Sequence, residues 1–305
     1  MPSTAASPAA TGTVIANGIP IHYEDHGNPD DPAILLIMGF AAQLTLWPDE
    51  LVAALAAQGF RVIRYDNRDI GLSHKFDGVR APGVVKLTLM NKIGLTPRVP
   101  YTLGDMADDG AGLLDALGIE AAHIAGASMG GMIAQRFAAR HPGRTRSLIS
   151  IFSTTGNPKL PAARKEAMQA LLTRPQSTEE AVLVEHGMML ARTIGSPGFP
   201  TDEERLRANV TAAVRRSVYP EGPTRHLSAI LADGDRRKML QTLDVPTLVL
   251  HGDDDPLIPV AAGRDTAEHI RGARLRTIAG WGHDLPLALV DELAGEMAGH
   301  AKAAG

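Results

Sequence analysis

Residues 121–134 read Ala121-Ala122-His123-Ile124-Ala125-Gly126-Ala127-Ser128-Met129-Gly130-Gly131-Met132-Ile133-Ala134. A short apolar strand runs into a serine, and a helix start of small residues follows. Glycine stands two before and two after the serine. A strand-to-helix turn this tight has no room for a Cβ at those flanking positions. It would present the Ser128 hydroxyl at the strand end, beside the first N–H groups of the helix. Gly-x-Ser-x-Gly alone recurs by chance. Its weight depends on whether the chain supplies a base, an acid and donors for an oxyanion.

Working outward, the same strand–helix–strand rhythm surrounds the serine. Upstream, Thr13–Ala16 and Ile19–Tyr23 flank Asn17-Gly18, a hairpin turn signal. Ala33–Met38 is a continuous apolar run of the kind buried on both faces of a parallel sheet. Pro48–Gln58 is an amphipathic helix with Pro48 at its first position, Asp49 and Glu50 in the first turn and Gly59 at its end. Phe60–Tyr65 is the next strand, and the order implies a right-handed crossover. His74–Tyr101 has mixed pattern and reads as an excursion near the site. Leu103–Leu117 is a helix closed by Gly118. After Ser128 come a helix over Met129–Arg140 and a strand over Thr145–Phe152.

From about Thr154 the alternation stops. Pro161–Thr173, Ser177–Thr193, Thr201–Ser217 and Pro223–Ala232 are helical, with no strand between them. Ser177-x-x-Glu180 and Thr201-x-x-Glu204 read as capping boxes. Strands return at Val245–His251 and Arg274–Ala279, with helices near Val260–Ile270 and Pro286–Ala301. The expected architecture is therefore α/β: a mostly parallel central sheet flanked by helices, with a helical cap insertion. The core takes residues 13–153 and 235–305, and the cap takes 154–234. Residues 1–12 lack the basic start and apolar block of a signal peptide. They are read as a disordered tail, with the cytoplasm as the expected compartment.

The chain has 305 residues, 44% of them hydrophobic and 21% charged, with net charge −4. It carries no basic run, so nucleic acid is not an expected partner. No apolar run is long enough to span a bilayer. With Cys 0 there is no disulfide, thiolate metal site or cysteine nucleophile. No cofactor or metal is expected. The oligomeric state stays open.

Ligands in such sheets lie beyond the carboxyl ends of the strands, where three loops carry chemistry. Ser128 is the candidate nucleophile, with the Met129 N–H at a helix N-terminus as one oxyanion donor. Among 11 histidines, His283 is the candidate base. It lies between the last strand and the last helix, in Ala279-Gly280-Trp281-Gly282-His283-Asp284. His74 could line the pocket, and His123 reads as packing. His251-Gly252-Asp253-Asp254-Asp255-Pro256 offers three carboxylates. Asp255 is the expected acid, rigidified by Pro256, while Asp253 caps the turn and Asp254 is exposed. Three consecutive acids do not converge on one ion, and the alternating spacing and Gly of a calcium loop are missing. In Met38-Gly39-Phe40-Ala41-Ala42, Gly39 permits a bend that lets the Phe40 N–H face the serine.

From about residue 13 to 303 the chain resembles the α/β-hydrolase fold superfamily, in which the elbow is accompanied by the order Ser…Asp…His. Met38-Gly39-Phe40 matches the oxyanion loop, which usually begins His-Gly. Tyr65–Ser73 matches the D-x-R-x-x-G-x-S loop. Asp69 stands where most members have Gly; with Met-Gly in the oxyanion loop, it looks like the aclacinomycin methylesterase-like carboxylic ester hydrolases. The resemblance implies catalytic roles for Ser128, Asp255 and His283 and oxyanion donation by the Phe40 and Met129 N–H groups. It implies hydrolysis of a small-molecule ester with an apolar portion through an acyl-enzyme. Carbon–carbon hydrolysis, lactone hydrolysis and perhydrolysis use the same triad. A non-catalytic binding protein of the same fold is the reading from another class. Met168, Met188 and Met189 either line an adaptable apolar pocket or form the core of the insert.

Overall fold

The computed structural model describes residues 10–83, 86, 87, 89, 90 and 97–305. Its centre is a sheet of eight strands: β1 (Ala10–Ala16), β2 (Ile19–His26), β3 (Ala33–Ile37), β4 (Arg61–Tyr65), β5 (Ala122–Ala127), β6 (Thr145–Ile151), β7 (Thr247–Gly252) and β8 (Arg274–Ile278). Their order is β1-β2-β4-β3-β5-β6-β7-β8. β1 pairs antiparallel with β2, and β2 with β4; every other pairing is parallel. The opening hairpin turns at Asn17 and Gly18, both at positive φ, as a two-residue turn of this hand requires. β1 begins at Ala10, three residues before the expected strand, because Ala10, Thr11 and Gly12 find register partners in Asp25, Glu24 and Tyr23. The rest of the expected tail, residues 1–9, lies outside the described residues. So do residues 84, 85, 88 and 91–96 of the expected excursion.

β3, β5 and β7 are buried along their whole length; β3 is apolar throughout, whereas β5 and β7 also bury His123, Thr247 and His251. Helices cover both faces. On one side, α2 (Leu103–Ala116) and α3 (Met129–Arg140) pack Met106, Leu113, Leu114, Ile133 and Phe137 onto Leu35, Ile63 and Ile124. On the other, α1 (Asp49–Ala57) and the last helix, α9 (Val290–Ala304), pack Leu51, Leu55, Leu293 and Met297 onto Ile34, Leu36, Val62 and Leu250. Pro48 falls one position outside α1, as its N-cap at φ −56° and ψ 135°. A Thr102/Asp105 capping box starts α2.

Between β6 and β7 the described chain makes α4 (Lys165–Leu172), α5 (Glu180–Ile194), α6 (Glu203–Arg216), α7 (Gly222–Asp233) and the short α8 (Arg237–Leu240), and no strand. Neither expected capping box forms there. Ser177 Oγ accepts the Glu179 N–H at 3.3 Å, and Glu179 is the residue before α5. α6 is capped by Asp202, whose carboxylate accepts the Arg205 N–H at 3.0 Å. A carboxylate there outcompetes the neighbouring Thr201 hydroxyl because it also complements the positive end of the helix dipole. Two arginines then tie the insert to the loop after β4: Arg216 to Asp66 at 2.7 Å and Arg225 to Asp69 at 2.7 Å. Among the described residues no helix is long and apolar enough to cross a membrane.

Candidate active site

Ser128 joins β5 to α3 at φ 58° and ψ −120°, a backbone conformation that costs an L-residue on the order of 1–3 kcal/mol. Its surroundings over-determine it. The Ser128 N–H donates to Ile151 O at 2.9 Å, and its carbonyl accepts the Gly131 N–H at 2.9 Å and the Ser153 hydroxyl at 2.7 Å. The flanking glycines are there for space. A Cβ on Gly126 would stand 2.1 Å from Gly130 O, and one on Gly130 2.0 Å from Ile37 O. Both collisions are with backbone, which cannot swing aside.

The loop after β8 brings His283 across. Its Nε2 accepts the Ser128 hydroxyl at 3.0 Å, and its Nδ1 donates to Asp255 Oδ2 at 2.7 Å. Asp255 is buried, and its Oδ1 accepts the N–H groups of Leu257 and Ile258, both at 2.8 Å. One carboxylate oxygen is thus committed to the backbone and the other to the imidazole. Of the three acids, Asp253 is the exposed one, and Asp254 Oδ2 caps Gly280 N at 2.8 Å. That reverses the expected parts of those two residues. The acid loop and the base loop run side by side, so Asp254 points at the base loop and Asp253 away from it.

Gly39 lies against the serine: a Cβ there would stand 3.0 Å from Ser128 Cβ and 3.6 Å from its Oγ. This brings the Met38–Ala42 loop beside the hydroxyl. Among the described residues no acceptor is present for the N–H of Phe40 or of Met129. Phe152, unmarked by any local sequence signal, lays its ring 4.6 Å from the His283 ring at φ 32°.

The other histidines divide by environment. His123 donates to or accepts from Ser147 Oγ at 2.9 Å, and burial pushes its pKa down to about 4, as suits a packing role. His74 packs edge-on against Phe76 at 4.7 Å, and its backbone N–H donates to Pro20 O at 2.9 Å. His226, on α7, is fully buried, and burial lowers its pKa to about 4. Its Nε2 donates to Arg68 O at 2.8 Å, and Nδ1 faces the Ala41 N–H at 3.4 Å.

Asp69 departs from glycine for a visible reason. It holds φ 68°, a region that Asp tolerates better than most residues. Its carboxylate accepts from the Phe76 N–H at 2.8 Å, the Tyr101 hydroxyl at 2.5 Å and the Arg225 guanidinium at 2.7 and 2.9 Å. Burial raises its pKa, but the Arg225, Phe76 and Tyr101 hydrogen bonds outweigh that and hold it below the usual carboxylate value. Of the insert's methionines, Met188 is buried core, whereas Met168 and Met189 reach the surface. Among the described residues no group of three or more His, Asp or Glu is placed to hold a metal ion.

The family of the alpha/beta hydrolase fold matches residues 32–287. The chain belongs to that family. This α/β hydrolase is 30% identical to a rhodomycin D methylesterase of a Streptomyces species, over 96% of this chain and 99% of the relative. It is 28% identical to a 3-oxoadipate enol-lactonase of Acinetobacter baylyi, over 87% of each chain. Among solved structures, a meta-cleavage product hydrolase from Pseudomonas fluorescens superposes with TM-score 0.74 at 20% identity, covering 96% of this chain and 98% of that one. The last likeness concerns the fold alone. The likeness to methylesterases read from Met38-Gly39 and Asp69 stands beside the first.

Proposed function

We propose that this α/β hydrolase cleaves a carboxylic ester through an acyl-enzyme, with Ser128, His283 and Asp255 as the catalytic triad. His283 Nε2 takes the Ser128 proton as Oγ attacks the carbonyl carbon. Asp255 keeps the proton on Nδ1 and stabilises the imidazolium. His283 then protonates the leaving alcohol, and a water activated by the same imidazole hydrolyses the acyl-serine. The N–H groups of Phe40 and Met129 are the oxyanion donors, each worth on the order of 3 kcal/mol in the transition state. One observation carries this reading: an unbroken hydrogen-bonded line from a left-handed serine through His283 to a buried carboxylate. The methylesterase relatives support an ester, and the enol-lactonase relative extends that to a cyclic ester opened by the same steps.

Residues 154–234 act as a cap in this reading. They touch the loops that carry each part of the site. Gln43, the residue after the oxyanion loop, donates to Ala213 O and Ser217 O, and the Arg164 N–H bonds Pro256 O in the acid loop. The expected substrate is a small molecule with an apolar acyl or alcohol part. The test is Ser128→Ala, assayed on p-nitrophenyl acetate and on methyl esters, together with labelling of Ser128 by a fluorophosphonate. The variant should fold, lose hydrolysis by at least about 10⁴-fold and take no label. A folded variant with near wild-type turnover would sink the assignment.

A further inference from the structure

The base loop, residues 279–284, belongs to no helix or strand. Its backbone donors therefore need partners from elsewhere. Gly280 N–H is taken by Asp254 of the core at 2.8 Å. The Trp281 N–H stays local, on Ile278 O at 3.4 Å, and the two donors after it go to the insert. The Gly282 N–H donates to Ser196 Oγ at 2.9 Å, and the His283 N–H donates to Ile194 O at 2.8 Å. In return, the Gly198 N–H donates to Gly280 O at 2.8 Å. Ser196 Oγ–H donates to Asp284 Oδ1, and the Ser196 N–H also bonds that carboxylate. The two segments lie so close that a Cβ on Gly282 would stand 2.5 Å from Gly195 O. Ser196 is buried at 4% exposure. Burial raises the Asp284 carboxyl above the usual range, against the two Ser196 bonds that lower it.

We infer that Ser196 and Asp284 are positioning residues for His283, seating the proposed base through the connection between α5 and α6. The inference rests on the triad reading above and goes beyond it. Among the described residues, Ser196 is the side chain that bridges the segments through both an accepted and a donated bond. The accepted bond comes from the residue before His283, and the donated one goes to the residue after it. The imidazole's reach to Ser128 Oγ then depends on residues 194–198 being docked. An insert displaced at this point leaves His283 N–H and Gly282 N–H without acceptors, and the base without a fixed position.

The experiment uses the full chain with Ser196→Ala, Ser196→Thr, Asp284→Ala and Asp284→Asn. Three readouts are taken: kcat and KM on p-nitrophenyl acetate, the melting temperature, and the far-downfield proton resonance of the His283 Nδ1–H···Asp255 bond. Ser196→Ala should lower kcat by about 10- to 100-fold with KM within about twofold, because a base misplaced by a fraction of an ångström loses rate rather than affinity. The downfield resonance should broaden or vanish in the folded protein at a temperature well below its melting point, since the unpaired Gly282 N–H lowers the melting temperature only modestly. Ser196→Thr, which keeps the hydroxyl, should restore kcat to within about threefold. Asp284→Asn, with one acceptor oxygen left, should fall between wild type and Asp284→Ala, and it carries the test if Ser196→Ala does not fold. Wild-type kcat and an intact resonance in Ser196→Ala and Asp284→Ala would overturn the inference, as would a kcat loss that Thr fails to rescue and that follows the melting temperature. Ser128→Ala separates the two readings. If it stays active, the triad is wrong; if it is inactive while Ser196→Ala is not, only the positioning role is wrong.

Discussion

Asp255→Asn is the sharpest perturbation of the site, because the structure dictates how the new amide must point. In the native protein Oδ1 accepts two backbone N–H groups, from Leu257 and Ile258, at 2.8 Å each. An asparagine has one oxygen and one NH₂. Turning the NH₂ toward Leu257 and Ile258 would set donors against donors and leave two buried N–H groups unpaired, at about 1–3 kcal/mol each. The oxygen therefore stays on the backbone, and the NH₂ takes the place of Oδ2, 2.7 Å from His283 Nδ1. Nδ1 must then accept, which moves the ring proton to Nε2. That nitrogen lies 3.0 Å from Ser128 Oγ and would now donate to it. A base with its lone pair on the wrong nitrogen cannot take the serine proton, and a loss of about 10⁴-fold in kcat is expected. At 1.36 kcal/mol per decade this is about 5 kcal/mol of transition-state stabilisation. Stability should change little, since volume and backbone bonds are kept. The assay is steady-state hydrolysis of p-nitrophenyl acetate beside a thermal melt. A folded Asp255→Asn variant within tenfold of wild-type kcat would refute both the tautomer argument and the choice of Asp255.

Two further predictions follow from space and from charge. Gly130→Ala places a methyl 2.0 Å from Ile37 O and 2.9 Å from Met38 O; α3 must move off β3, so a loss of roughly 3 kcal/mol or more is expected, and an unchanged melting temperature with unchanged kcat would contradict it. His226 sits near 4 in the folded protein, against an ordinary 6.5, because it is buried. A base with a depressed folded pKa contributes stability that is whole above pH 6.5 and is lost as pH falls toward 4, here about 3 kcal/mol at 1.36 kcal/mol per pH unit. Urea unfolding at pH 7 and pH 4.5 should show His226→Gln losing less stability than wild type across that interval, and equal losses would argue against His226 as a source.

The sheet was legible because its signals are local. A continuous apolar run such as Ala33–Ile37 suits only a strand buried on both faces, and Gly126 and Gly130 mark the one turn that needs them. Ser128, His283 and Asp255 could be singled out as candidates because each follows a strand in a loop at the same end of the sheet; their side chains are hydrogen-bonded in line. What stayed hidden depends on partners far along the chain. Asp254 and Asp253 exchange their expected parts because Gly280, 26 residues on, decides which one is held. The Asp69 departure from glycine makes sense only beside Arg225, a partner 156 residues away. The Ser177 and Thr201 boxes fail by a residue or two, since local hydroxyls compete with carboxylates and with packing for the same helix ends. No pattern announced that Phe152 would cover His283 or that Ile194 and Ser196 would hold it.

These long-range contacts bear on how the insert behaves as a unit. It is tied to all four loops around Ser128. The oxyanion loop is held through Gln43, the β4 loop through Asp66 and Asp69, the acid loop through Pro256, and the base loop through residues 280–284. Two of the ties are ion pairs with fully buried carboxylates: Asp66 and Asp69 are each at 0% exposure. Removing Arg216 or Arg225 alone would leave its carboxylate buried without its charge partner, at ~3–5 kcal/mol for each. Lifting the whole insert would break both pairs and strip the base loop of its acceptors at the same time. The insert therefore walls the site along α6, α7 and residues 194–198 through these ties. α4 contributes neither an arginine to those pairs nor a bond to the base loop, and its Met168 and Leu172 are exposed at 41% and 50%. Among the described helices of the insert, α4 is the one whose displacement leaves the ion pairs and His283 in place.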